Sequence, residues 1–200
     1  MDYTIEKNGK RESFAEDGIS FLDIDFRGIH ICGEGKRINK INQFYEEISE
    51  RCYKYAKEQL LARSRSEYEA MQDERKRFSF RPYRYSVGIN YIWQSEQYLS
   101  VLCVISIQKR GKPTYIKKIG QTWDKKRAKI ISLSCLGAKK SRKIKKALSQ
   151  KAKRLNIDKI NTDSFCLENG KISFFVNDDS SNKCHAVDII LEPEEKANKS

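Results

Sequence analysis

Thirteen lysines and arginines stand between Asp124 and Asp158, with no aspartate or glutamate among them. Eight of them, Lys139, Lys140, Arg142, Lys143, Lys145, Lys146, Lys151 and Arg154, fall where Ile144, Leu148, Ala152 and Leu155 recur at helical spacing. A helix with one apolar stripe and cations on its other faces is an electrostatic platform for a polyanion. The opposing reading is an ordinary solvated helix face. If about five of these charges met phosphates, log affinity would fall with log salt at a slope of about −4 to −5. The whole chain carries 40 basic and 27 acidic residues, a net of +13. Outside this one stretch, the charges balance.

Chemistry that makes or breaks bonds has little footing. Gly28 and Gly33 have the spacing of a phosphate loop, but Glu34 stands where lysine is required. There is no nucleophile elbow and no H-E-x-x-H pair. Asp23/Asp25 and Asp178/Asp179 read as strand-surface and turn residues. Cys184 and His185 are neighbours on a strand and point to opposite faces, which opposes a joint metal site with His30 and Cys32. The sequence predicts no catalytic residue, cofactor or metal. Six cysteines without a C-x-x-C pair, behind a start that lacks the signal-peptide pattern, read as reduced thiols in a cytoplasmic protein. No apolar run reaches the roughly 18 residues of a membrane span.

The arginines Arg77, Arg81 and Arg84 interleave with Phe78, Phe80, Tyr83 and Tyr85. This pattern suits either base stacking or an aromatic strand face packed on a helix. Continued alternation through Trp93 favours the core stripe.

The elements that must position these residues follow from periodicity. Residues 1–18 read as a loose arm or a weak edge strand. Leu22, Ile24 and Phe26 alternate with Asp23 and Asp25 in a strand over 19–32. Ile38, Ile41, Tyr45, Ile48, Cys52 and Tyr55 make the stripe of a long helix, which fades after Leu61. Strands follow over 83–93, 98–108, 114–123 and 128–133, and short connections predict an antiparallel meander. Ser141 reads as the cap of the basic helix over 141–155. Asn169-Gly170 makes a hairpin turn, and a last strand spans 186–191. The prediction is one α+β domain over 19–191: an antiparallel sheet on a long helix, with a second, basic helix. Residues 192–200 read as a flexible tail.

Ile38 to Asn42, Tyr85 to Tyr91, Tyr98 to Ile107, Asp124 to Leu136 and above all Phe165 to Asn177 carry a resemblance. The chain resembles the bacterial domain of unknown function in the outer part of RsiV-like anti-sigma factors and in PdaC-like peptidoglycan deacetylases. The resemblance implies that fold and a non-catalytic binding role toward a protein or an anionic, cell-envelope polymer. The sequence departs from it at 109–113, where the loop has no histidine. The membrane anchor and sigma-binding segment of those proteins have no counterpart, so sigma-factor inhibition does not carry over. The alternative is a nucleic-acid-associated protein that binds through residues 125–157.

Overall fold

The computed structural model describes residues 2–71, 79–155, 157, 160–178 and 183–191. The tail predicted over 192–200, together with Arg77, Phe78 and residues 179–182, lies outside them. The elements run β1 (Ile5–Glu16), β2 (Ile19–Ile31), α1 (Lys36–Tyr55), a π-helical segment (Ala56–Leu60) and α2 (Leu61–Glu69). Next come β3 (Tyr83–Gln94), β4 (Tyr98–Lys109), β5 (Lys112–Asp124), β6 (Lys129–Ile130) and a 3-10 turn (Leu133–Leu136). The chain continues through α3 (Ala138–Arg154), β7 (Phe165–Glu168), β8 (Lys171–Asp178) and β9 (Lys183–Ile190). The class is α+β. β1 to β6 form one sheet in chain order, and β7 to β9 form a second.

The first sheet is mixed. β3 to β6 form the expected meander, but β2 and β3 run parallel, from Leu22↔Tyr83 to Arg27↔Gly88. Parallel neighbours need a crossover of about a dozen residues or more, and the segment from α1 to α2 supplies it. Within residues 1–18, Ile5 to Glu16 form an edge strand paired along β2 rather than a loose arm. The fourth strand shrinks to two residues, because the chain turns at once into the 3-10 segment. The basic helix starts at Ala138, a turn early. Gly137, at φ +95°, turns the chain into it, and Ser141 lies buried inside the helix, capping nothing.

Side chains alternate across β4 and β5, so one face of the first sheet meets α1 and α2 and the other meets the second sheet. The first core holds Ile31, Ile41, Tyr45, Leu60, Tyr85, Val87, Leu99, Val101 and Trp123. The second core holds Leu133, Ile144, Leu148, Phe165, Ile172, Phe174 and Val187. A bulge on β3 sets Tyr91 opposite Val101 but Trp93 opposite Ser100, and this moves Trp93 from the first core to the second. The stripe therefore ends at Ile89, and Tyr91 is exposed. Gly120 lies where the sheets touch. A Cβ there would come 2.7 Å from the Phe165 carbonyl carbon, so only glycine fits.

The wide π turn adds a residue to the helix and rotates its apolar stripe. The stripe does not fade after Leu61. It continues through Ser64, which is 0% exposed and donates its hydroxyl to the Phe21 carbonyl at 2.7 Å. Three amide side chains act as missing strand partners. Asn42 bonds both backbone groups of Ile31, Gln94 those of Tyr3 and Asn177 those of Lys118, all within 2.8–3.0 Å. Backbone groups beside Ile31 and Tyr3 and on the open side of β5 at Lys118 are thereby paired.

Candidate binding surfaces

The basic helix α3 is seated by Ser141, Ile144 and Leu148, which are buried on the second core. Burying an isoleucine or leucine is worth about 1.5–3 kcal/mol each, so this stripe suffices to fix the helix's rotation. That rotation sends Lys139, Arg142, Lys143, Lys145, Lys146, Lys151, Lys153 and Arg154 to the surface, with Lys140 half-buried. Lys151 donates to the Asp188 carbonyl on β9, and Lys140 also has a partner. Among the described residues, no carboxylate pairs with Lys139, Arg142, Lys143, Lys145, Lys146, Lys153 or Arg154. Lys139, Arg142, Lys143 and Lys146 follow the i, i+3, i+4, i+7 spacing and share the outward face.

Apart from Lys151, Lys153 and Arg154, whose place in the last turn suits the helix dipole, these charges oppose the stability of their own helix. Cations in the first turn face the positive end of the helix dipole, and like charges three or four residues apart repel. The wider basic stretch is not uniform. Lys125 is only 4% exposed, and its Nζ donates to the Ser95 carbonyl at 2.8 Å and sits 4.5 Å above the Tyr3 ring. It pins the start of the chain and belongs to the fold rather than to the platform.

A different kind of surface opens on the helix-facing side of the first sheet. The helix covers β2 and β3 but leaves the lower part of β4 and β5 open. The resulting cleft of about 680 Å³ is lined by Tyr55, Arg63, Tyr83, Tyr85, Tyr115 and Lys117, among others. Glu67 organises its upper wall. Its carboxylate accepts from Tyr83 Oη at 2.7 Å, from Arg63 Nε at 3.4 Å and from Lys109 Nζ. Partial burial alone would raise the Glu67 carboxyl, but the hydrogen bonds from Lys109 and Tyr83 bring it below its ordinary value. Lys109 Nζ stands 5.2 Å from the Tyr83 ring centre. Sequence reasoning missed this cleft. The available signal was Lys117, a lysine on the same face of β5 as Tyr115 and Ile119.

The aromatic run resolves as a core face. Phe80, Tyr83 and Tyr85 are buried, and Phe80 packs its ring against Phe21 and Tyr68. Burial pushes the Cys103 and Cys166 thiols up to about 12. Cys135, exposed at the approach to α3, is held below the ordinary thiol value by hydrogen bonds from Ser132. His30 and Cys32 lie with the first sheet, and Cys184 and His185 with the second, so the strands do not pair to join them. No described helix is long and apolar enough to cross a membrane.

No family model matches the chain, and no curated protein matches it in sequence. Solved structures match it in fold. A DUF3298-family protein of Bacteroides fragilis superposes with a TM-score of 0.63 at 13% identity, covering 94% of this chain and 90% of that one. A DUF3298-family protein of Pseudomonas aeruginosa gives 0.58 at 12% identity, covering 95% and 91%. The chain thus has the fold of proteins from a domain family of unknown function.

Proposed function

We propose that the protein is a non-catalytic binding module that holds an anionic polymer against the outward face of α3. The observation that carries this reading is the row of exposed cations Lys139, Arg142, Lys143, Lys146, Lys153 and Arg154, which have no carboxylate partner among the described residues. Lys139 at the positive end of the dipole, and the like charges of Lys139, Arg142, Lys143 and Lys146 three or four residues apart, weaken the helix, so a gain outside the folded chain accounts for them better than helix stability does. From Lys139 to Arg154 the row runs about 22 Å along the helix axis, the reach of several charges of an extended polymer. The resemblance to the RsiV-like outer domain supports a recognition role. Six unpaired thiols support a reducing, cytoplasmic setting.

Fluorescence anisotropy with labelled polyphosphate, polyglutamate and duplex DNA, at about 50 and about 200 mM salt, tests the reading. Binding of polyphosphate and polyglutamate that weakens steeply with salt supports it. Duplex DNA bound far more tightly than either would replace it with nucleic-acid association. Equal, negligible binding at both salts would remove it.

A further inference from the structure

We propose that the cleft beside the π-helical segment is a second, independent site, which takes a small aromatic acid: a flat apolar ring bearing a carboxylate or phosphate. Its volume of about 680 Å³ falls within the usual range for small-ligand sites of about 300–1,000 Å³. Ile105 and Ile107 make its floor and are only half-buried, although they lie on the core-facing side of β4. Tyr83 and Tyr85, each 3% exposed, are fixed at its base. Tyr55 is 44% exposed, with its ring 6.0 Å from that of Tyr85, so it offers a face to a bound ring.

The charge of the cleft sets the sign of the ligand. Three cations, Arg63, Lys109 and Lys117, line the cleft, and Glu67 behind its wall pairs with Arg63 and Lys109. That carboxylate is already shared by Arg63 and Lys109, and Lys117 is exposed with no carboxylate partner among the described residues. An anionic head group placed near Lys117 would give that lysine a partner and reduce the local excess of positive charge. The lining also argues against a sugar. Among the described residues no asparagine, aspartate or glutamine lines the cleft, and beyond its cations the polar side chains are hydroxyls, those of Thr114 and the tyrosines. A polyhydroxylated ligand would lose hydrogen bonds to water there and recover few. A ring lying on isoleucine and tyrosine loses none. The π-helical segment gives independent support, because such turns concentrate at functional sites and this one contributes Leu60 to the wall.

The test is titration calorimetry of the full chain with naphthoate and with the neutral naphthylmethanol. Naphthoate should saturate one site and bind about tenfold more tightly than the alcohol. Lys117→Glu should erase that preference while leaving the thermal midpoint in place, since Lys117 is a surface residue. Tyr55→Ala should weaken both probes. Lys143→Glu/Lys146→Glu on α3 should change neither, which separates this site from the polymer surface. Absence of saturable naphthoate binding by wild type would overturn the proposal. So would naphthoate binding that Lys117→Glu and Tyr55→Ala leave unchanged, or that the α3 variant abolishes.

Discussion

The face of α3 and the cleft beside the π-helical segment are both cationic, yet their cations are deployed in opposite ways. On α3 the charges are many and mostly exposed, seven of them have no carboxylate partner among the described residues, and the helix that carries them has no aromatic residue. In the cleft they are few, and two of the three, Arg63 and Lys109, stand over the Tyr83 ring and share Glu67. Net charge therefore locates the first surface and says nothing of the second. A convex row of charges gives long-range attraction with little shape discrimination. A concave site with few charges and an apolar floor gives selection by shape.

Salt should split the two most strongly. Between about 50 and about 200 mM salt, polyphosphate affinity at α3 should fall by about two to three orders of magnitude, measured by anisotropy. Naphthoate affinity in the cleft should fall by less than about threefold, because one partly enclosed ion pair is screened far less. Equal losses would break the comparison.

The next largest effect is charge reversal. Arg142→Glu/Lys143→Glu/Lys146→Glu should weaken polyphosphate by about a hundredfold and flatten the salt slope by about three. The fold should survive, because the buried stripe of Ser141, Ile144 and Leu148 is untouched. An unchanged circular dichroism melt checks this.

Thiol labelling gives a smaller, local readout. The thiolate is the reacting form, so exposed Cys135, held below the ordinary thiol value, should label first in the native protein. Cys103 and Cys166, pushed up to about 12 and buried, should label only on unfolding. Polyphosphate bound at α3 should slow Cys135 labelling by about threefold or more through shielding of the adjoining helix start, and naphthoate should not. Mass spectrometry of labelled peptides reads this.

The smallest effect belongs to Glu67. Its folded carboxyl lies below the ordinary value, so the stability it contributes is present above the unfolded value of about 4.3 and is lost as pH falls through the folded one. Glu67→Gln should lower stability by about 1 kcal/mol or less at neutral pH. The gap to wild type should close on acidification below about pH 4. Thermal melts against pH check it.

Much of the fold is legible in the sequence because burial imposes a period. The stripes of β2, β3, β4 and α3, and the Asn169-Gly170 turn, mark elements packed on one side. β1 left no such mark. Its residues from Glu6 to Arg11 are exposed on both faces of an edge strand, so nothing forces alternation. The parallel pairing of β2 with β3 depends on how the crossover lies in space, which no local pattern encodes. The π turn is similarly silent, and it makes the stripe through Ser64 look like an ending. The charge platform was legible because its residues are neighbours in one helix. The cleft was not, because Tyr55, Arg63, Tyr83, Lys109 and Lys117 come from separate elements that only the folded sheet and helix bring together.

The most direct test of the α3 reading is the slope of log affinity against log salt for polyphosphate, in wild type and in Arg142→Glu/Lys143→Glu/Lys146→Glu. The wild-type slope should be about −4 to −5 and the variant slope about −1 to −2. Identical slopes, or no binding by wild type at the lowest salt, would contradict it.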